Sequence, residues 1–186
     1  MEREFKEIVS VLREAKRRKY IHDFALTGAL ALSALTQPRA TRDIDFIISI
    51  EKENIPFFVD WLKSSKEYRH TKHHIGRQKD RIKDLIEVFI GSTWADLIVV
   101  SHEIEKEAVA TGTTVSAFRN VRVKVVRPEY LIILKALAGS DQDIIDGAHL
   151  WNERIDRRLV RKMAKELYMD GKLKKMEAKA KKLLKK

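Results

Sequence analysis

The chain has 186 residues, which is the length of one domain or of one domain with a helical extension. It has no cysteine, which excludes disulfide bonds and thiolate metal sites, and no apolar run near the roughly 18 residues of a membrane-spanning helix. The net charge is +11, and the 35% of charged residues together with few Gly and Pro suit a thermophilic source. The N-terminus lacks a signal peptide's apolar core, so we expect a cytoplasmic protein with no membrane partner.

Residues 2–19 have the apolar periodicity of an amphipathic helix. The apolar side chains recur three and four residues apart and form one stripe: Phe5, Ile8, Val9, Leu12 and Ala15. We expect this helix to cover a β-sheet with that stripe.

A short apolar run then ends in a glycine turn at Gly28. Residues 24–27 are predicted to form the first core strand, and residues 29–36 a helix that ends before Pro38, because the residue before a proline avoids helical geometry. A helix that starts at a glycine turn offers N–H groups and a positive dipole end to an anion. The turn therefore predicts a phosphate-binding site.

The next predicted strand, residues 43–50, carries two carboxylates. Alternation along the strand places Asp43 and Asp45 on one face, while Ile44 and Phe46 point into the core. Two carboxylates on one face repel each other unless a cation lies between them. Mg²⁺ typically binds one or two carboxylates together with substrate phosphates. The pair therefore predicts a metal site in the same strand–helix–strand unit as the glycine turn.

The turn and the carboxylate strand together resemble the nucleotidyltransferase superfamily, the fold of DNA polymerase β and of the minimal nucleotidyltransferases. The string Gly-Ala-Leu-Ala-Leu followed by Arg-Ala-Thr-Arg-Asp-Ile-Asp is similar to the AbiEii-like branch, which includes toxins of toxin–antitoxin pairs. Arg39, Thr41, Asp43 and Asp45 match its pattern, whereas Ala29 stands where the family prefers Gly or Ser. The resemblance implies that the two aspartates bind Mg²⁺ or Mn²⁺.

The resemblance also implies an NTP site beside these motifs. Its expected residues come from the turn and from the segment before the carboxylate strand: Thr27, Gly28, Ala29, Arg39, Thr41 and Arg42. An arginine there would steer a triphosphate or neutralise the charge that develops in phosphoryl transfer. An ion pair that orders the loop is the alternative for each arginine.

A third carboxylate on a later strand is a further expectation from the resemblance. Two strand-like runs flank a turn at Gly91-Ser92-Thr93: residues 88–90 and residues 97–100. Asp96 begins the second run and fits best, as a metal ligand or as the general base on the acceptor. Asp84, which reads as helical within residues 81–86, and Glu87 are the alternatives.

A helix at 102–110 and a strand at 121–126 precede a C-terminal helical part, in which Pro128 suits a first helical turn. The AbiEii-like branch has here an apolar helix with a Leu-Lys pair and then an Asp-containing segment, and Lys135 and Asp143 match these positions. The resemblance implies that Lys135 is a catalytic cation near the triphosphate and that Asp143 belongs to the nucleotide site. Asp143 would alternatively position Lys135 or cap a helix.

Almost all of the net positive charge lies near the C-terminus. Residues 154–186 hold 14 basic and four acidic residues, whereas residues 1–153 are nearly neutral. A basic segment attracts polyanions through counterion release, so the segment is a candidate RNA-binding region, and a solvated lysine-rich helix end is the alternative. Within it, residues 171–186 are expected to be a lysine-rich tail, with apolar residues at the spacing of a helix that orders on a partner.

These features predict an α/β (α+β) nucleotidyltransferase fold, with a short mixed sheet flanked by helices and a basic helical C-terminal part. The expected division is a core over residues 1–126, a helical part over 127–170 and a tail over 171–186. The predicted reaction is Mg²⁺-dependent transfer of an NMP from an NTP to a tRNA-like RNA, a protein or a small molecule, by the toxin partner of an antitoxin. The alternative is a catalytically weak or inactive member of the fold that binds RNA or protein.

Overall fold

The computed structural model describes residues 1–36, 40–77, 82–118 and 121–184. The chain divides into two compact units. Over their described parts, the first unit comprises residues 1–30 and 40–126, and the second comprises residues 31–39 and 127–186. Within the described ranges, none of the helices is both long enough and apolar enough to cross a membrane.

The first unit is built on a mixed sheet. Over the described residues its seven strands are β1 (Asp23–Leu26), β2 (Ile44–Ser49), β3 (Lys72–Ile75), β4 (Asp84–Ile90), β5 (Thr93–Val99), β6 (Thr113–Ala117) and β7 (Val121–Val125). Their order across the sheet is β3-β4-β5-β2-β1-β7-β6. The β2–β5 and β1–β7 pairs are parallel and the other pairs are antiparallel. The sheet confirms the predicted fold class and puts the carboxylate strand β2 at its centre.

Among the described residues, four α-helices begin in this unit: α1 (Glu2–Arg17), α2 (Gly28–Leu35), α3 (Ile55–Ser64) and α4 (Glu103–Ala110). The apolar stripe predicted for α1 is buried. Phe5 of α1 stacks on Phe46 of β2 with 6.1 Å between ring centroids, and Phe24 of β1 meets the same ring edge-on at 5.8 Å. Helix α1 therefore covers the sheet face that holds Phe46, and Asp45, which alternates with Phe46, points to the other face.

The prediction that Asp84 lies in a helix is wrong. Asp84 is the first residue of β4, which pairs with β3 and β5 along its length. Its alternate residues Asp84, Ile86, Val88 and Ile90 are buried. The intervening residues are also largely apolar, and this hides the period of two in the sequence.

Strand β6 was not among the elements predicted from the sequence, which gave a helix at 102–110 and the next strand at 121–126. Its residues, Thr-Thr-Val-Ser-Ala, are mostly polar and carry no clear alternation of apolar and polar side chains. They form an edge strand that pairs only with β7 among the described strands. An edge strand with one neighbour has little buried surface, so its sequence is under weak hydrophobic constraint.

The second unit is helical after residue 127. Its helices there are α5 (Pro128–Ala138), α6 (Asp141–Trp151), α7 (Arg157–Glu166) and α8 (Asp170–Leu183). Pro128 occupies the first turn of α5, as predicted, and Gly139 ends that helix in the left-handed conformation with a φ of 71°. Asp156 caps α7 by accepting hydrogen bonds from the N–H groups of Arg158 and Leu159.

Helix α8 corrects the expectation that the lysine-rich segment orders only on a partner. Leu173, Met176 and Ala180 are buried within the unit. Helices α6 and α8 approach closely, since a Cβ atom on Gly147 would lie 2.5 Å from the sulfur of Met176. The lysines of α8 are therefore carried on a packed helix.

Candidate active site

Three carboxylates lie in register on three adjacent strands. Asp45 of β2 is the direct partner of Asp96 of β5, and Asp96 is the direct partner of Glu87 of β4. Side chains of direct partners share a face of the sheet, with Cβ atoms about 5 Å apart. Asp43 lies one residue before β2, and its charge also acts on Asp96. The structure thus brings Asp43, Asp45 and Asp96 together, with Glu87 as a fourth carboxylate; we call these four residues the carboxylate row.

The crowding of negative charge changes the acidity of Asp96. The pKa of its carboxyl is raised from the ordinary value of 3.8 to about 6. Burial is the largest cause, followed by the charges of Asp45, Glu87 and Asp43, and nearby His74 opposes the shift. A carboxylate with a pKa near neutrality is an effective proton acceptor at physiological pH.

Gly28 allows the carboxylate of Asp45 to approach the start of α2. Its φ is 64°, and a Cβ atom added there would lie 1.9 Å from Asp45 Oδ2. The backbone N–H of Thr27 donates to the carbonyl of Asp45 at 2.9 Å. Thr27 and Ala29, on either side of the glycine, are buried. The glycine turn and the carboxylate strand therefore form one continuous site.

The loop before β2 is held by hydroxyl groups. The Thr41 hydroxyl donates to the carbonyl of Asp43 at 3.3 Å and accepts from its N–H at 3.3 Å. The Thr93 hydroxyl, at the start of β5, donates to the carbonyl of Arg42. These bonds fix the backbone that carries Asp43, while the side chain of Arg42 is exposed. Arg39 lies outside the described residues.

Two histidines of β3 contact carboxylates of β4 on opposite faces. His74 Nε2 lies 2.5 Å from Glu87 Oε2, and His73 Nε2 lies 2.8 Å from Asp84 Oδ1. Because side chains alternate along β4, Asp84 points away from the carboxylate row and Glu87 joins it. From the sequence, Glu87 was a candidate only as an alternative to Asp96. If the strand-like run at 88–90 is extended toward the N-terminus, Glu87 joins the strand that precedes the turn and lies opposite Asp96 on the strand that follows it.

Lys135, in the second unit, is held by two carboxylates of α6. Its Nζ lies 2.9 Å from Asp143 Oδ1 and 2.9 Å from Asp146 Oδ2, and Asp146 is fully buried. Burial opposes the charge of Lys135, but the two carboxylates outweigh it and raise the pKa of the ammonium.

Asp143 has both of the structural roles considered as alternatives from the sequence, which are to position Lys135 and to cap a helix. It accepts hydrogen bonds from the hydroxyl of Ser140 at 2.7 Å and from the N–H of Ser140 at 3.2 Å, so it caps α6 as well as binding Lys135. Burial opposes its charge, yet Ser140 and Lys135 together lower the pKa of its carboxyl. The assignments of Lys135 and Asp143 to the nucleotide stay predictions.

The donor set of the carboxylate row suits a hard divalent cation. Over the described residues, no three His, Asp or Glu side chains converge closely enough to hold a metal ion by themselves. Mg²⁺ commonly takes one or two carboxylates from the protein and its other ligands from phosphates and water. Burial raises the pKa of Asp96 most, and the repulsion from the neighbouring carboxylates, which adds to the shift, is the part that a bound cation would relieve.

Several solved structures resemble the chain at low sequence identity. The antigenic nucleotidyltransferase-like protein from Paracoccidioides brasiliensis is 21% identical and has a TM-score of 0.48, with 95% of this chain and 93% of that chain covered. The antibiotic-resistance factor ANT(2'')-Ia is 14% identical in its solution structure, with a TM-score of 0.45 and coverage of 100% and 94%. Its complex with adenylyl-2''-tobramycin is 15% identical, with a TM-score of 0.45 and coverage of 96% and 97%.

A match at the level of sequence family covers the carboxylate row. The family model described as "Nucleotidyl transferase AbiEii toxin, Type IV TA system" matches residues 10–125, more than half of the chain. A comparison with curated proteins found no match. The matched range contains the glycine turn, Asp43, Asp45, Glu87 and Asp96, and it confirms the resemblance seen in the sequence. The chain belongs to the AbiEii nucleotidyltransferase toxin family.

Proposed function

We propose that the chain transfers a nucleoside monophosphate from an NTP to an acceptor nucleophile and releases pyrophosphate, with Mg²⁺ or Mn²⁺ as cofactor. One observation carries the proposal: Asp45 and Asp96 are direct partners on β2 and β5, beside the turn at Gly28. Family membership supplies the class of reaction, and this register supports a working carboxylate centre.

Asp43 and Asp45 would hold the metal, with Asp96 or substrate phosphates as further ligands. A bound divalent cation would polarise the phosphates and offset their negative charge. The carboxylates repel one another without it, as the raised pKa of Asp96 indicates. Because the described residues supply too few close ligands for a complete coordination shell, we propose that the metal binds together with the NTP.

The first turn of α2 would receive the triphosphate. A helix N-terminus attracts anions through its dipole, and a glycine lets phosphate approach the backbone without a side chain between them. Thr27 and Ala29 flank Gly28 at this turn, and the loop before β2 would contribute Thr41 and the exposed Arg42. Positioning of the phosphates by these groups would supply much of the rate.

Asp96 would act as the general base. The acceptor oxygen attacks the α-phosphorus while its proton passes to the Asp96 carboxylate. The bond from the α-phosphorus to the oxygen bridging to the β-phosphate breaks, and pyrophosphate leaves with that electron pair. Asp96 then releases the proton to solvent. With a pKa of about 6, Asp96 is ionised at neutral pH and holds a proton more tightly than an ordinary aspartate does.

The description of the family names a type IV toxin–antitoxin system. We therefore further propose that the chain is the toxin of such a pair and that an antitoxin protein is its partner. The acceptor would be RNA, a protein or a small molecule. Expression in a bacterial host is expected to arrest growth, and Asp45→Asn is expected to cure the arrest. Growth arrest that persists in this variant would contradict toxicity through nucleotidyl transfer.

The direct test is transfer of label from each of the four α-³²P-labelled NTPs, with Mg²⁺, into the RNA and protein of a host extract. We expect one nucleotide to label one fraction with the wild-type chain, and no label with Asp45→Asn. Absence of label from folded wild-type protein, in extract and in a small-molecule pool, would overturn the proposal. It would favour the alternative of a member of the fold that only binds RNA or protein.

A further inference from the structure

Tyr168 lies in the short connection between α7 and α8 with 95% of its side chain exposed. Its φ is 55°, in the left-handed region that an aromatic residue rarely adopts. Met169, the next residue, is buried, so the chain turns inward there and the tyrosine ring points to solvent. Packing within the unit therefore does not account for an aromatic residue at this position.

Helices α7 and α8, on either side of Tyr168, are strongly basic. Their exposed cations include five residues: Arg158, Lys165, Lys174, Lys175 and Lys182. None of the five forms an ion pair with any residue in the described ranges. We call these five residues together with Tyr168 the α7–α8 surface.

Most acidic side chains on or beside α7 and α8 form helix caps or ion pairs within the segment. Asp156 caps α7, and Glu177 of α8 accepts from the guanidinium of Arg161 of α7 at 3.2 Å. Glu166 lies 3.9 Å from Lys162. The charge that α7 and α8 present to a partner is therefore positive, and the Arg161–Glu177 pair ties the two helices together.

We propose that the α7–α8 surface binds single-stranded RNA, with Tyr168 stacking on an unpaired base and the cations contacting the flanking phosphates. Nucleic acid combines a repeating negative charge with flat aromatic bases. An exposed aromatic ring between two helices that carry unpaired cations is complementary to both features. A double-stranded helix keeps its bases stacked inside, so it would use the cations alone. The inference does not depend on the proposed nucleotidyl transfer, since it concerns binding only.

The experiment measures fluorescence anisotropy of a fluorescein-labelled 15-nucleotide oligo(U) RNA with the full chain, in EDTA and without NTP. These conditions separate the inference from catalysis, because binding can be present in a chain that transfers no nucleotide. We expect Tyr168→Ala to weaken binding about 5- to 100-fold at constant salt, as removal of one stacking platform does. Tyr168→Phe is expected to retain binding because the ring is kept.

The charge variant Lys174→Gln/Lys175→Gln/Lys182→Gln tests the phosphate contacts. We expect the slope of log K against log salt to become shallower by about 0.7 for each phosphate that the variant no longer neutralises. Two matched controls come from the first unit: Phe57→Ala removes another exposed aromatic ring, and Lys52→Gln/Lys63→Gln/Lys66→Gln removes three exposed lysines. Both controls are expected to leave binding and slope unchanged.

Three outcomes would overturn the proposal. Binding that depends on the lysines but is indifferent to Tyr168→Ala would indicate a generic polyanion surface. Equal affinity for poly-L-glutamate would indicate an acidic protein as the partner. Tighter binding to oligo(dT), or to an RNA duplex of the same length, would contradict the assignment to single-stranded RNA.

Discussion

Asp45 and Asp96 are direct partners in the parallel pairing of β2 and β5, so two carboxylates point from the same face at the same level of the sheet. The strands that carry them also pack hydrophobic side chains, Phe46 and Leu97, on the opposite face. The sheet therefore fixes the separation of the carboxylates independently of any ligand. Chemistry at this site is expected to depend on the charges, and folding on the residues between them.

Asp45→Asn is expected to lower nucleotidyl transfer by on the order of 10²–10³-fold while leaving the fold intact, because it removes one charge of the metal site but keeps the size of the side chain. Label transfer measures the activity, and circular dichroism with urea unfolding measures the fold. Asp60→Asn, an exposed aspartate on α3, is the matched control and is expected to behave as wild type. Full activity in Asp45→Asn would refute the assigned centre.

Asp96→Asn is expected to stabilise the metal-free protein above pH 6 by about 3 kcal/mol, because each unit of pKa shift corresponds to about 1.4 kcal/mol. The pKa of Asp96 is about 6 in the folded chain, against an ordinary 3.8, so the folded state binds more protons than the unfolded state between these values. The free energy of unfolding of the wild type therefore falls as the pH rises from about 4 to 6. Asparagine does not ionise, so the free energy of unfolding of the variant does not fall for this reason.

The measurement is urea unfolding of wild type and Asp96→Asn in EDTA from pH 4 to pH 8. The difference in unfolding free energy should be small at pH 4, grow through pH 6 and then remain constant. Asp60→Asn, at an exposed position on α3, is the matched control. A difference between Asp96→Asn and wild type that does not change with pH would mean that neither burial nor the neighbouring carboxylates raise the pKa of the Asp96 carboxyl.

Gly28→Ala is expected to abolish activity and to destabilise the protein by about 1–3 kcal/mol. The new Cβ would lie 1.9 Å from Asp45 Oδ2 and at a positive φ, so either the carboxylate or the turn must move. Gly171→Ala on α8 is the control: no atom lies within 4 Å of its added Cβ, and alanine in a helix should stabilise by about 0.5–1 kcal/mol. Unaltered activity in Gly28→Ala would show that Asp45 need not contact the turn.

Lys135→Met is expected to destabilise the protein by about 3 kcal/mol, because Asp143 and the buried Asp146 would lose the cation that compensates them. Urea unfolding at pH 7 measures the change. Lys174→Met on the exposed side of α8 removes a lysine without such partners in the described ranges and should change stability by less than about 0.5 kcal/mol. Equal stabilities of the two variants would show that the Lys135 ion pairs contribute nothing to the fold.

Of the carboxylate row, the pair Asp43 and Asp45 could be predicted from the sequence pattern, because a strand's period of two places both side chains of Asp-Ile-Asp on one face. The pairing of Asp45 with Asp96 across two strands could not be predicted from this pattern. It depends on the register of two strands separated by some fifty residues, and only the family resemblance pointed to Asp96. Glu87 was harder still, since its strand alternates between two partly apolar faces.

The errors in the fold have related physical causes. Asp84 looked helical because the charged and apolar residues before it mimic a helical spacing, whereas pairing with β3 and β5 imposes a strand. Helix α8 looked like a solvated tail because lysines dominate its composition. Three well-spaced apolar residues are enough to dock it, and Gly147 provides room for Met176 at the contact.

The mutual repulsion of Asp45 and Asp96 has a consequence for the evolution of the fold. Replacement of Asp96 by an uncharged residue would remove the cost of burying its charge and the repulsion from its neighbours, so such replacements are expected to accumulate once transfer chemistry is no longer selected. A descendant that acts only by binding is therefore expected to have discarded at least one of the pair. The joint retention of Asp45 and Asp96 in a chain would then distinguish, by inspection, lineages still under selection for transfer chemistry from those that have left it.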